Sequence, residues 1–217
     1  LRNRVVYLPN NHSINSESEI TLGLLKAVHE DDKLTQRSAA NELDIALGLV
    51  NTYLKRCVKK GFIKIRQVPR KRYAYYLTPQ GFAEKCRLTA DFLSQSLSLF
   101  RQSQTQYREI FSLCAEKNWH NVAFYGAGDL SEIANLCAQE FPIKVVAIIQ
   151  SGVNHNNETR LPIVESIDSA GEIDAIILTD LLDPQYSFEK AAKTFSKEQI
   201  LTPKFLEISR NPPMLKD

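Results

Sequence analysis

Apolar residues recur every three to four positions between Glu17 and Glu30, at Ile20, Leu24, Leu25 and Val28, and this spacing predicts a helix with one inward face. Thr35 stands where it can cap a second, shorter helix bearing Ala39, Ala40 and Leu43, and Asp44-Ile45-Ala46 supplies the turn that follows. A third helix then carries Val50, Leu54, Cys57 and Val58 on its inward stripe until Gly61 stops it. From Phe62 to Val68 the period falls to two, with Ile63 and Ile65 on one face and Lys64 and Arg66 on the other. A return strand from Tyr73 to Leu77 alternates as well, and Pro69-Arg70-Lys71-Arg72 forms the tip of the hairpin. Ahead of all this, Val5-Val6-Tyr7-Leu8 reads as a short strand in an otherwise irregular polar stretch.

Thr78-Pro79 is a cap followed by proline at a first helical position, and the helical pattern it opens runs without Gly or Pro from Gln80 to about Asn118 once Gly81 is passed. Read in sevens, Cys86, Leu93, Phe100, Tyr107 and Cys114 share one seam position, and Ala90, Leu97, Gln104 and Phe111 share the other. A repeat of 3.5 residues belongs to a helix that pairs with another helix, most simply its copy in a second subunit. The dimerisation residues expected are Leu93, Leu97, Phe100, Tyr107 and Phe111. The alternative is a helix packed back on its own domains.

Past Trp119 the pattern is that of a parallel α/β domain. Val122 to Tyr125 is a buried strand, Gly126-Ala127-Gly128 a tight turn, Asp129 to Glu140 a helix with Leu130, Ile133, Ala134 and Cys137 inward, and Lys144 to Gln150 a second strand. This strand, Gly-x-Gly, helix, strand order opens a Rossmann-like sheet. Leu161 to Val164 is extended, Ile173 to Thr179 a further strand, Tyr186 to Phe195 a helix, and Phe205 to Ile208 a last strand before a loose tail from Arg210 to Asp217. The expected fold class is α/β, with an N-terminal winged helix-turn-helix (1–78), a long central helix (79–118) and a C-terminal Rossmann-like domain (119–217).

Charge sharpens this division. Residues 1–100 hold 16 Lys or Arg against 9 acids and residues 101–217 hold 11 against 16, so the halves carry about +7 and −5. Between Lys55 and Arg72 there are nine Lys or Arg and no acid, enough to neutralise several phosphates from one face. Double-stranded DNA is the partner these cations suit. Gly48, Asn51 and Thr52 would meet base edges, Gln36, Ser38 and Lys55 would position the helix, and Arg66, Arg70, Lys71 and Arg72 would hold phosphates or enter a minor groove.

The run Leu54-Lys55-Arg56-Cys57-Val58-Lys59-Lys60-Gly61-Phe62-Ile63, with its basic hairpin closed by Leu77-Thr78-Pro79-Gln80-Gly81, resembles the MarR-type winged-helix regulators. The resemblance covers roughly residues 17–110 and is narrower to members associated with exopolysaccharide gene clusters. It implies a dimeric, DNA-binding transcriptional regulator. Ala46 and Asn51 depart from the Ser or Thr usual in that family, and Ala46 has no side chain to cap the recognition helix.

The C-terminal turn leaves two readings open, a small-molecule pocket or a module for oligomerisation and protein contacts. A pocket would draw on Gly126, Gly128, Asp129, Ser151, Thr179 and Asp180, at the ends of parallel strands, and would take a nucleotide or nucleotide-sugar; its cofactor is unassigned. Winged helix followed by Rossmann-like domain is also the order of the Rex family of NADH-responsive repressors. Against dinucleotide binding stand Ser131 in place of the third glycine, Gln150-Ser151-Gly152 in place of a ribose-binding acid, and Asp129 at the helix N-terminus.

With 43% apolar and 24% charged residues over 217 positions, the composition is that of globular material. Cys57, Cys86, Cys114 and Cys137 lie 29, 28 and 23 apart, which indicates neither a zinc site nor a disulfide scaffold. No leader pattern or run of eighteen apolar residues occurs, and the cytoplasm is the expected compartment, without a membrane partner. The chain opens on Leu1, which leaves room for native residues ahead of it. A competing class is an enzyme that uses its winged helix for protein contacts, but His12, His29, His120 and His155 have no evident catalytic partners, and no enzyme is expected.

Overall fold

The structure, a computed structural model, describes residues 13–31, 34–68, 72–150 and 161–211. The short strand expected at Val5 to Leu8 lies outside them. Contacts group into two units, with the boundary between Ser96 and Leu97.

In the N-terminal unit, α1 (Ser13–Glu30) begins four residues earlier than its apolar period and buries Leu22, Leu24, Leu25, Ala27 and Val28. α2 (Gln36–Leu43) is closed by a capping box in which Thr35 Oγ1 accepts the Ser38 N–H at 3.0 Å and Ser38 Oγ accepts the Thr35 N–H at 2.9 Å. Asp44 turns the chain in the left-handed region at φ 53°, and α3 (Leu47–Lys59) follows from Ala46, which makes no side-chain cap. Val50, Tyr53, Leu54 and Cys57 are its buried residues, so Tyr53 joins the inward stripe while Val58 is only half-buried.

Gly61, at φ 75°, ends α3 with paired bonds from Gly61 N–H to Val58 C=O and from Phe62 N–H to Cys57 C=O, the Schellman arrangement that needs a left-handed residue. β1 (Ile63–Val68) and β2 (Arg72–Leu77) pair antiparallel, Ile63 opposite Leu77 and Val68 opposite Arg72. Ile63 and Tyr75 sit in the core, but Ile65, expected to share that burial, is 45% exposed although it pairs with the buried Tyr75. Thr78 ties the hairpin to the next helix. Its hydroxyl accepts the Gly81 N–H and donates to Gly61 C=O, both buried or part-buried bonds.

α4 (Pro79–Glu116) runs unbroken for 38 residues. Its end is set by Asn118 at φ 58°, where Asn118 N–H reaches Ala115 C=O and Trp119 N–H reaches Cys114 C=O.

In the C-terminal unit five parallel strands stand in the order β5–β4–β3–β6–β7: β3 (Asn121–Tyr125), β4 (Lys144–Ile149), β5 (Ile163–Val164), β6 (Ala175–Leu178) and β7 (Ile200–Leu201). Chain order therefore reverses between β3 and β6, the doubly wound arrangement whose crevice opens at the carboxyl ends of those two strands. Alternation sends Val122, Phe124, Ile148 and Ile177 to one face and Ala123, Tyr125, Ile149 and Ile176 to the other. α5 (Asp129–Ala138) and the last turns of α4 cover the first face, and α6 (Pro184–Ala191) covers the second.

Two expectations are corrected here. Tyr107, Phe111 and Cys114 are fully buried against Val122 and Phe124, and the Tyr107 hydroxyl donates to Leu178 C=O at 3.1 Å, so this half of the heptad seam is core and cannot face a second copy. The last strand is Ile200–Leu201, whereas Lys204–Leu206 is a 3-10 turn whose Phe205 and Leu206 lean on the clusters. The tail is anchored at its start, where the Arg210 guanidinium donates to Lys197 and Ile200 carbonyls.

Candidate nucleic-acid interface

α3 turns Gly48, Thr52, Lys55, Arg56 and Lys59 outward, opposite the stripe that Val50, Leu54 and Cys57 bury, with Asn51 half-buried beside them. Nothing lies within 4 Å of the place a Gly48 Cβ would take, so packing does not require glycine there. The Thr52 hydroxyl is turned back onto the helix, donating to Gly48 C=O at 2.9 Å. Arg56 is held from two sides, by the Glu17 carboxylate at 3.1 Å and by the Tyr53 ring, 5.2 Å from its guanidinium. Lys55, Lys59 and Lys60 extend the basic run into solvent.

Gln36 and Ser38 are engaged within the fold. The Gln36 amide donates to the Tyr75 hydroxyl at 3.1 Å, tying the start of α2 to the hairpin. The Ser38 hydroxyl completes the α2 cap and donates to Thr35 C=O. On the hairpin, Lys64, Arg66, Tyr76 and Ala74 share one face, with Lys64, Arg66 and Tyr76 exposed. Arg70 and Lys71 lie outside the described residues. Arg72 is placed through its backbone, opposite Val68.

Sequence reasoning passed over the large apolar residues this surface exposes. Leu47 and Leu49 at the start of α3 are 45% and 39% exposed, and Tyr73 and Tyr76 on the hairpin are 58% and 43% exposed. Leu47 and Leu49 fall outside the inward stripe of α3, a signal that helical periodicity contains.

At the carboxyl ends of β3 and β6 the turn is closed by its own side chains. Gly126, at φ 104°, passes so close to Asp180 that an added Cβ would stand 2.7 Å from its backbone. The Thr179 hydroxyl, buried, donates to Gly126 C=O. Ser131 Oγ takes the Gly128 N–H at 3.1 Å and donates to Gly128 C=O at 2.7 Å. Asp180 accepts from Leu182 N–H and from the Ser187 hydroxyl, and Asp129 and Glu132 place two carboxylates in the first turn of α5. Gly126, Gly128, Asp129, Thr179 and Asp180 are thus brought together, while Ser151 lies outside the described residues. The Gly128 N–H is thus satisfied within the turn, and two acidic residues in the first turn of α5 disfavour a phosphate at this helix start. Among the described residues no three His, Cys, Asp or Glu side chains gather closely enough to hold a metal ion, and no helix is long and apolar enough to cross a membrane.

Three helices, a two-residue-period hairpin and a basic outward face on the third helix define the N-terminal unit as a winged helix-turn-helix. Residues 17–64 match the family model described as winged helix-turn-helix DNA-binding. The solved structures similar to it include MepR, a transcription regulator of the Staphylococcus aureus multidrug efflux pump MepA, at 28% identity over 40% of this chain and 63% of that one, TM-score 0.34. The S. aureus MepR–DNA complex is similar at 28% identity over 41% and 63%, TM-score 0.34. A MarR family transcription regulator is similar at 17% identity over 48% and 82%, TM-score 0.33. The chain spans a little under two thirds of the length of the MepR structures. No curated protein matches it.

Proposed function

We propose that the protein is a dimeric, DNA-binding transcriptional regulator of the MarR type, with a Rossmann-like C-terminal domain that docks a partner or senses a metabolite. One observation carries the reading: nine cations without an acid between Lys55 and Arg72, borne by the third helix of a helix-turn-helix and its hairpin. That helix lies in the major groove, Asn51 meets base edges, and Lys55, Lys59, Lys64 and Arg66, with the hairpin tip Arg70, Lys71 and Arg72, hold phosphates. Gln36, which donates to the Tyr75 hydroxyl, helps to position the helix and the hairpin.

Dimerisation falls to the exposed part of the α4 seam. Leu93, Leu97 and Phe100 are 53%, 55% and 37% exposed on one stripe, an apolar surface that a second copy would cover. In the C-terminal domain the closed Gly126–Gly128 turn speaks against an NADH-responsive repressor and for assembly, or for a ligand that is not anchored by phosphate there.

The test is binding of the full chain to duplexes selected from a random pool. Replacing Arg70 and Arg72 by Ala should weaken binding to every sequence and flatten its salt dependence by about 0.9 in the log–log slope per lost phosphate contact. Asn51→Ala should instead relax sequence choice. Unaltered binding in both variants would defeat the proposal. Titration with NADH and NAD gives the second arm: micromolar binding of either would restore the dinucleotide reading.

A further inference from the structure

The first turn of α3 offers a duplex almost nothing polar. Ala46 has no capping side chain and Gly48 has no side chain at all, and one turn on the Thr52 hydroxyl already donates its proton to Gly48 C=O. What it does expose is a pair of leucines. Leu47 and Leu49 are two residues apart, about 200° around the helix, so they flank Gly48 on either edge of the outward face. Both are more exposed than a third, against 0% for Val50 and 2% for Leu54 on the same helix. Neither leucine belongs to the hydrophobic core of this unit, and both border the surface that carries Asn51, Lys55 and Lys59.

Base pairs differ in what they show an apolar probe in the major groove. Only thymine presents a methyl group there, at C5, and apolar side chains read it by contact. The absence of a Cβ at Gly48, with open space around it, lets the helix start sit close to the base edges, and the two flanking leucines then reach neighbouring pairs. We propose that Leu47 and Leu49 select thymine through its methyl group, so that this helix reads its site partly by apolar contact, with Asn51 supplying the polar contact. The inference rests on the DNA-binding reading and adds the base class that the helix start prefers.

Its test uses duplexes recovered from a random pool by the full-length protein, then resynthesised with deoxyuridine in place of thymidine, one position at a time. Removing a methyl that Leu47 or Leu49 touches should weaken wild-type binding by about fourfold, the equivalent of one buried methylene. Leu49→Ala should bind the parent duplex more weakly and lose that response at one position, and Leu47→Ala should lose it at a different position. Circular dichroism on both variants checks that the helices remain. Overturning results are uniform indifference of the wild type to uracil, or a uracil response that both alanine variants retain. Failure of the underlying reading looks different: no sequence would be enriched from the pool, and Asn51→Ala and Lys55→Ala would bind as the parent does.

Discussion

Phe111 and Leu97 occupy the same seam position of one 3.5-residue repeat, and the structure assigns them opposite fates. Phe111 is fully buried, its ring centre 6.5 Å from that of Phe124 and 5.9 Å from that of Phe141. Truncation to alanine leaves a cavity that the surrounding strands cannot close, at a cost of about 3–5 kcal/mol. With a urea slope of about 2 kcal/mol/M, the midpoint of the C-terminal unit should fall by about 2 M. The single tryptophan, Trp119, packs against the same cluster, so its fluorescence reports that unit. Leu97, 55% exposed, has about half its side chain left to bury. Covering it is worth about 1 kcal/mol per copy, or about 2 kcal/mol per dimer, so Leu97→Ala should raise the dimer dissociation constant about thirtyfold. Sedimentation equilibrium reads that constant. The expected pattern is a crossed one: Phe111→Ala shifts the tryptophan midpoint and spares association, and Leu97→Ala does the reverse. A Phe111→Ala variant with an unmoved midpoint and weakened association would refute the assignment of this residue to the core. A Leu97→Ala variant that associates like the parent would remove α4 from the dimer.

Three further outcomes are expected. Glu17→Gln releases Arg56 from its carboxylate partner, and non-specific duplex affinity should rise with a log–log salt slope steeper by about 0.9, measured by fluorescence anisotropy across salt; an unchanged slope would mean that Arg56 never reaches a phosphate. Thr78→Val keeps shape but strands the Gly81 N–H and Gly61 C=O, costing about 2 kcal/mol, and should accelerate amide exchange at Gly81 while leaving the C-terminal strands protected. Burial pushes the Cys57 and Cys114 thiols up to about 11 and raises Cys137 as well, whereas Cys86 is exposed, so at pH 8 a thiol reagent should label Cys86 quickly and the other three only after unfolding. Because a raised thiol value favours the protonated, folded form, that contribution is complete below about pH 9 and lost as pH climbs toward 11, and alkaline unfolding should begin in that window.

The chain by itself determined the order and kind of its elements. Thr35, Gly61, Thr78-Pro79 and Asn118 are local devices, a hydroxyl cap, left-handed residues and a proline at a helix start, that act within a few residues and are legible without tertiary context. The basic run from Lys55 to Arg72 and the Gly126-Ala127-Gly128 turn were legible for the same reason. What the tertiary structure alone decided is which partner an apolar residue meets. A 3.5-residue stripe states only that one side of α4 must be covered, and it was the sheet that claimed Tyr107, Phe111 and Cys114 while leaving Leu93, Leu97 and Phe100 uncovered. Likewise alternation placed Ile63 and Ile65 on one face, but only the first is buried. Gln36 shows the same limit for a polar group: its donors and acceptors are written in the sequence, and whether the fold itself engages them depends on Tyr75, 39 positions away.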